Sequence, residues 1–149
     1  MAIYTFFRRW ETGILALVEA ESSGLAIERI AKARVSLAHA DLKGLEAPWR
    51  HLQGVDLRGA DLEAASLPGA ILLRADLRTA SLISADLRGS TLRQADLRRA
   101  DVRHADLRQA DLRGADFAGA TLHNACATGA RLDGARLDWR PGVAPPRRR

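Results

Sequence analysis

A five-residue period governs this chain. It runs from Val35 to Trp139 in one register without insertion, and every residue whose number ends in 2 or 7 is a central position. From Leu37 to Leu137 there are 21 such positions; 17 are Leu, and the others are Ala47, Val102, Phe117 and Ala127. Two residues before them, 16 of 21 positions are Ala. All nine glycines of the stretch fall two residues after a central position, and ten of its twelve aspartates fall one residue before. A helix repeats its apolar residues every 3.6 positions and a strand every second one, so a period of five fits neither. Ala-x-Leu alone is strand-like: in, out, in. The next Ala comes three residues later, so the chain must bend at the two intervening residues to keep both Leu and Ala inside. Glycine at the bend supplies backbone freedom. A chain that bends the same way every five residues winds into a tube. Its stacked turns share a Leu/Ala interior and pair backbone groups at ~4.8 Å.

Units such as Ala95-Asp96-Leu97-Arg98-Arg99 and Ala105-Asp106-Leu107-Arg108-Gln109 resemble the pentapeptide-repeat family. The resemblance implies an all-β chain: a right-handed quadrilateral β-helix with four pentapeptides per coil and about five coils. Ala and Leu fill the interior, and the other three positions face out. A buried Leu contributes roughly 1.5–3 kcal/mol against roughly 1–2 kcal/mol of backbone entropy per ordered residue. The margin per coil is small, so both ends need caps.

Three segments are expected. Residues 1–34 lack the repeat and read as a capping module: Tyr4–Phe7 as a strand, a turn at Trp10–Gly13, Ile14–Ala20 as a second strand. Ser22-Ser23-Gly24 breaks it, and Ala26–Arg34 forms a short helix with Ala26, Ile27, Ile30 and Ala31 on one stripe. Residues 35–139 form the β-helix, with Trp139 as lid. Residues 140–149 are a disordered basic tail containing Pro141, Pro145 and Pro146. The weakest stretch of the repeat is Leu45–His51, where strict register would turn Arg50 inward. A local bulge or loop is expected there, with Trp49 either folded over the tube mouth, replacing volume lost at Ala47, or projecting outward.

Composition narrows the function classes. Aromatics are 5% of the chain, so the interior is aliphatic. Cys126 is the sole cysteine, which excludes an internal disulfide framework and a cysteine-rich zinc site. Net charge is +5, but residues 1–139 carry 19 Lys+Arg against 18 Asp+Glu, and the last ten residues supply the other four positive charges. No apolar run approaches the ~20 residues of a spanning helix. Arg8-Arg9 before Ile14–Val18 is too short and too soon acidic for an export signal. The expectation is a cytoplasmic protein with no membrane association.

No catalytic constellation is visible. His104 and His123 come near each other on one face, without a nucleophile set or a metal-ligand spacing around them. Cys126 lacks an activating base, and no phosphate loop or dinucleotide fingerprint occurs. The reading is a non-enzyme with no cofactor, no metal and no catalytic residue.

Twenty-residue stacking puts Asp56, Asp76, Asp96 and Asp116 in one column beside Arg58, Arg78 and Arg98. Candidate partner-binding residues are Trp49, the outward pair Ile71 and Leu73, a guanidinium series at Arg88, Arg93, Arg98, Arg103, Arg108 and Arg113, and the tail arginines Arg147, Arg148 and Arg149. The last repeats reverse the usual order, as Arg131-Leu132-Asp133 and Arg136-Leu137-Asp138. Stacking Arg131 on Asp111, Asp133 on Arg113 and Arg136 on Asp116 is expected to bring at least two of these pairs within ~4 Å.

Three functions compete. The first is a rod-like protein-interaction or scaffold module with an unidentified protein partner. The second is a DNA mimic that modulates or protects a type II topoisomerase, a role the family resemblance suggests. It requires a strongly negative rod, and the near-neutral body and the want of a C-terminal dimerisation helix weigh against it, so a monomer is expected. The third is a tether to nucleic acid or another acidic partner through the basic tail.

Overall fold

The computed structural model describes residues 2–8 and 14–137. The repeat winds into a β-helix of twenty-residue coils. Four columns of parallel bridges run its length, as in Asp41↔Asp61↔Ser81↔Asp101↔Thr121 and Asp56↔Asp76↔Asp96↔Asp116↔Arg136. Each column is one face. The residue after Ala makes the bridge; the two residues after Leu make the corner.

Backbone bonding follows one rule throughout. The central N–H reaches the next coil (Leu77 N to Asp96 O, 2.8 Å), and so does the corner N–H (Thr79 N to Arg98 O, 3.0 Å). The bridging N–H reaches the previous coil (Asp76 N to Val55 O, 2.9 Å), while Ala closes the turn within its own coil (Ala80 N to Leu77 O, 3.1 Å). These bonds satisfy donors that a buried wall could not leave open. The corner demands a left-handed residue. Every residue numbered in 4 or 9 from Arg34 to Gly134 has φ between 55° and 72°, whether glycine or not. Where a side chain stands there, the backbone carries ~1–2 kcal/mol of strain, and the bonds between coils hold it in place.

The interior is the expected one. Leu57, Leu67, Leu77, Leu87, Leu97 and Leu107 are buried, with Ala60 to Ala115 packed between them. Phe117 and Ala127 both take interior positions. Burial fades toward the far end, where Leu122, Leu132 and Leu137 are only partly covered by described residues.

The first coil carries a cap. β1 (Ala2–Arg8) and β2 (Ile14–Ala20) form an antiparallel hairpin, and β1 also pairs with β3 (Ala40–Asp41) on the first coil, giving the order β2-β1-β3. α1 spans Ser23–Lys32, beginning earlier than the sequence suggests. The reason is Ser22, whose side chain accepts from the Leu25 N–H and caps the helix. Arg29 and Lys32 in the last turn suit the helix dipole. The buried stripe contains Gly24, Ala26, Ile27, Ile30 and Ala31. Gly24 permits close approach to the coil, since a Cβ there would lie 2.8 Å from the Glu46 carbonyl and 3.1 Å from Ala47 Cα. Ser23 Oγ donates to the same Glu46 carbonyl.

At Leu45–His51 the expected bulge or loop is overturned, and of the two placements expected for Trp49 the outward one is found. No bulge or loop occurs: Glu46↔Ser66 and His51↔Ile71 bridge in register, and Ala47 N, Trp49 N and Leu52 N all bond to the next coil at 2.8–2.9 Å. Arg50 holds the inward backbone slot, yet its side chain belongs to the first coil and escapes at the mouth. There it lies beneath Gly24, with Nη1 3.6 Å from the Glu28 carboxylate. Because Arg50 and α1 occupy the mouth, Trp49 does not fold over it. Its corner conformation (φ 58°) sends the ring outward, 73% exposed.

Candidate interaction surface

The outer surface is built from a charge pair repeated within each unit. Residues two apart on a strand share a face, so the aspartate before Leu and the arginine after it meet. Arg58 Nε and Nη2 both bond Asp56 at 2.8 Å. The same fork joins Arg78 to Asp76, Arg88 to Asp86, Arg98 to Asp96, Arg103 to Asp101, Arg108 to Asp106 and Arg113 to Asp111. In each of these pairs the carboxylate also accepts the arginine's own backbone N–H, as in Arg88 N to Asp86 at 3.1 Å. A second, longer contact links coils: Arg58 to Asp76 at 3.7 Å, Arg78 to Asp96 at 3.5 Å, Arg88 to Asp106 at 3.8 Å. Asp56, Asp86, Asp96, Asp101, Asp106 and Asp111 are all held below the usual carboxylate range, chiefly by the arginine hydrogen bond.

This geometry disperses the guanidinium series. Arg88, Arg93, Arg98, Arg103, Arg108 and Arg113 fall on successive faces and wind around the tube. Five of the six are locked to their own aspartates; Arg93, whose repeat has Thr91 instead, has no such aspartate. Ile71 and Leu73 share a face as expected, and both are half-buried. Arg147, Arg148, Arg149 and Trp139 lie outside the described residues.

The reversed repeats do not pair as expected. Asp111↔Arg131 and Asp116↔Arg136 do stack. Among the described residues, however, no ion pair within 4 Å joins Arg131 to Asp111, Asp133 to Arg113 or Arg136 to Asp116. Asp111 is already forked to Arg113 at 2.6 Å, and that contact within the repeat wins. Asp116 accepts from Ala118 N instead.

Two corner side chains are laid flat on the neighbouring coil. A Cβ on Gly69 would lie 2.6 Å from Trp49 Cδ2, and one on Gly59 would lie 2.7 Å from His39 Cε1. Each ring covers a bare Cα, which fixes its inner face and presents the outer one. Parallel to these corners runs an open groove of about 740 Å³, lined by His39, Arg58, Arg78, Arg98, Arg99 and Arg136, with Ala118 and Gly119 in its wall. Sequence reading singled out Arg98 alone of these as a binding candidate. The twenty-residue spacing could have assembled the rest, since His39, Thr79, Arg99 and Gly119 occupy one corner column. At the first coil, Lys43 joins the nearly buried Asp61 at 3.6 Å and Glu63 at 3.0 Å. The His104 and His123 rings stand edge to face, with centroids 6.3 Å apart. Cys126 Sγ lies 3.5 Å from Thr128 Oγ1, which draws the thiol pKa down.

A family model described as pentapeptide repeats matches residues 56–94 and 95–134. A pentapeptide-repeat protein from the Arabidopsis thaliana thylakoid lumen is 32% identical, with a TM-score of 0.50, over 64% of this chain and 63% of that one. One from the cyanobacterium Cyanothece 51142 is 30% identical, with a TM-score of 0.49, over 64% and 58%. The trypsin-treated plasmid-mediated fluoroquinolone resistance protein QnrB1 is 19% identical, with a TM-score of 0.51, over 66% and 57%, a likeness of fold alone. Each match spans less than two thirds of the other protein's length. No curated protein matches this chain.

Proposed function

The chain belongs to the pentapeptide-repeat family, and from that premise we propose that it is a non-enzymatic rod that docks a protein partner on its outer surface. The observation that carries this reading is Trp49. It is a large aromatic held at 73% exposure, with its inner face laid across Gly69. Binding energy concentrates in a few residues, and tryptophan is enriched among them. A ring already fixed on the rod loses little side-chain entropy on binding. The half-buried Ile71 and Leu73, on the face that follows the Trp49–Gly69 corner, give apolar contacts beside it, while the arginine groove runs along the opposite corner of the coil.

In this reading residues 1–34 cap, residues 35–139 form a right-handed quadrilateral β-helix of about five coils, and residues 140–149 are a tail. The protein acts as a monomer in the cytoplasm. The alternating Asp–Arg ladder speaks against duplex mimicry, which needs unbroken negative charge. The test is affinity capture from the native host with the intact chain and with Trp49→Ala. A partner retained by the first and lost by the second supports the reading; equal capture by both overturns the role of Trp49. Inhibition or protection in a gyrase supercoiling assay would favour the topoisomerase reading instead. Salt-dependent DNA binding lost on removal of residues 140–149 would favour the tether.

A further inference from the structure

One face of the rod breaks the charge pattern. Over the first three coils, each of the other three faces carries at least two carboxylates. On this face the outward positions are His51 and Gln53, then Ile71 and Leu73, then Thr91 and Arg93, stacked through the bridges His51↔Ile71↔Thr91. None of them is acidic. The Trp49 ring, laid over Gly69, closes one edge of the face. Arg74 closes the other, where its Nε donates to Gln94 Oε1 on the next coil at 2.9 Å.

The result is an apolar centre in a cationic frame. Ile71 and Leu73 are half-buried, while Arg74 and Arg93 are exposed. Gln94 is a neutral amide, so the charge of Arg74 is not cancelled. Among the described residues the Arg93 guanidinium has no hydrogen bond and no ion pair within 4 Å. The surrounding carboxylates are answered by other arginines. Asp86 is held by Arg88 and Asp111 by Arg113, both at 2.6 Å, and Asp76 and Asp96 by Arg78 and Arg98. Glu28 of α1 faces Arg50 at 3.6 Å, and Glu46 lies across the Trp49 corner on the preceding face. At the mouth the face runs into a hollow of about 340 Å³, lined by Glu28, Ala31 and Lys32 of α1 with His51 and Gln53.

We propose, building on the protein-docking reading above, that this face binds an acidic segment of the partner in which aliphatic side chains stand among aspartates or glutamates. Ile71 and Leu73 take the aliphatic side chains beside the Trp49 ring, and Arg74 and Arg93 take the carboxylates. A carboxylate at Arg93 breaks no existing pair, whereas at a forked arginine it must compete with the aspartate already bound. Nucleic acid suits the face less well, because its phosphates call for an unbroken row of cations and Ile71 and Leu73 interrupt the row.

The experiment uses the intact chain and a short labelled peptide rich in Asp and Leu, with binding read by fluorescence anisotropy. The comparison probes are the same peptide with Lys for each Asp, the same peptide with Ser for each Leu, and a single-stranded DNA oligonucleotide. Only the Asp/Leu peptide is expected to bind, and more weakly as salt rises. Arg93→Glu and Leu73→Ser are each expected to weaken binding at least about tenfold. Arg93→Glu should keep the melting temperature, since Arg93 has no partner to lose. Arg99→Glu makes the same charge change at an exposed guanidinium on another corner, and it is expected to bind as the unaltered chain does. Equal losses with Arg93→Glu and Arg99→Glu overturn the proposal, and so does binding of the DNA in place of the peptide. Absence of peptide binding overturns it as well, while the docking role of Trp49 still stands or falls on capture from the host. A captured partner that needs Trp49 but not Arg93 likewise keeps the docking reading and removes the acidic chemistry.

Discussion

The benzo ring of Trp49 lies across the bare Cα of Gly69, where a Cβ would overlap ring atoms Cε3, Cζ3 and Cδ2. Gly89, one coil further along the same column, has the same left-handed backbone and nothing within 4 Å. The two glycines separate backbone strain from contact. Gly69→Ala and Gly89→Ala are both expected to lose about 1–2 kcal/mol for a side chain in the left-handed region. Only Gly69→Ala should lift the indole. In chains with Trp10 and Trp139 replaced by Phe, the emission of Trp49 should change with Gly69→Ala and not with Gly89→Ala. An identical spectrum in both would show that the ring does not rest on Gly69.

The Asp–Arg forks predict a sharp acid limit. Asp56, Asp86, Asp96, Asp101, Asp106 and Asp111 have folded-state values below the ordinary ~3.9, held there first by the arginine hydrogen bond. A lowered folded value adds stability that is complete above the unfolded value and is lost as pH falls through the folded one. The melting temperature is expected to be flat from about pH 5 upward and to fall below about pH 4. Replacing Asp96 and Asp106 by Asn should reduce the drop. An acid limit unchanged by those replacements would place its origin elsewhere.

Interior truncation should depend on position. Leu77→Ala removes a fully buried side chain between complete coils and is expected to cost about 2–5 kcal/mol. Leu132→Ala, where cover is partial, should cost clearly less. Denaturant unfolding of the two variants measures the difference. Equal losses would mean that Leu132 is as well packed as Leu77.

The Arg50–Glu28 contact joins cap to coil. Arg50 Nε is buried and has no hydrogen-bond partner, and Glu28 is its carboxylate at 3.6 Å. Glu28→Gln is expected to destabilise, because it leaves a half-buried cation unanswered. Arg50→Leu in the Glu28→Gln background removes both charges and restores the apolar character of the inward slot; relative to the unaltered chain it should be neutral or stabilising by about 1 kcal/mol, since replacing both partners of a desolvated ion pair is often favourable. Thermal melting distinguishes them; a strong loss with the double replacement would show that the ion pair itself anchors α1.

The repeat made the interior legible because inward positions obey a single constraint. Leu77, Ala80 and Leu82 could be placed from spacing alone. The outer surface was legible as columns but not as contacts. Spacing sets Asp111 beneath Arg131, yet it cannot say that Asp111 already spends both oxygens on Arg113, two residues away. Rules derived from the middle of the repeat also misjudge its first coil. Arg50 would be forbidden between two coils, but at the mouth it has an exit toward Glu28. Trp49 then has no void to fill, and the left-handed corner throws it outward. The helix start at Ser23 was hidden because Ser22-Ser23-Gly24 reads as a break, when Ser22 is the cap and Gly24 the point of contact.

The twenty-residue offset separates inheritance of the interior from inheritance of the surface. Losing one residue anywhere in the rod would reverse inside and outside for all that follows, so such a change cannot persist. Losing five keeps every Leu and Ala inside but advances the remaining chain by one face. The Asp76 column would then continue into residues that had belonged to the Asp101 column, and Gly69 would no longer underlie Trp49. Only a loss or gain of twenty leaves both intact. Short duplications by five can therefore rewrite which side chains are neighbours on the exterior without disturbing the core. In such a rod, what a partner meets is decided by counting as much as by substitution.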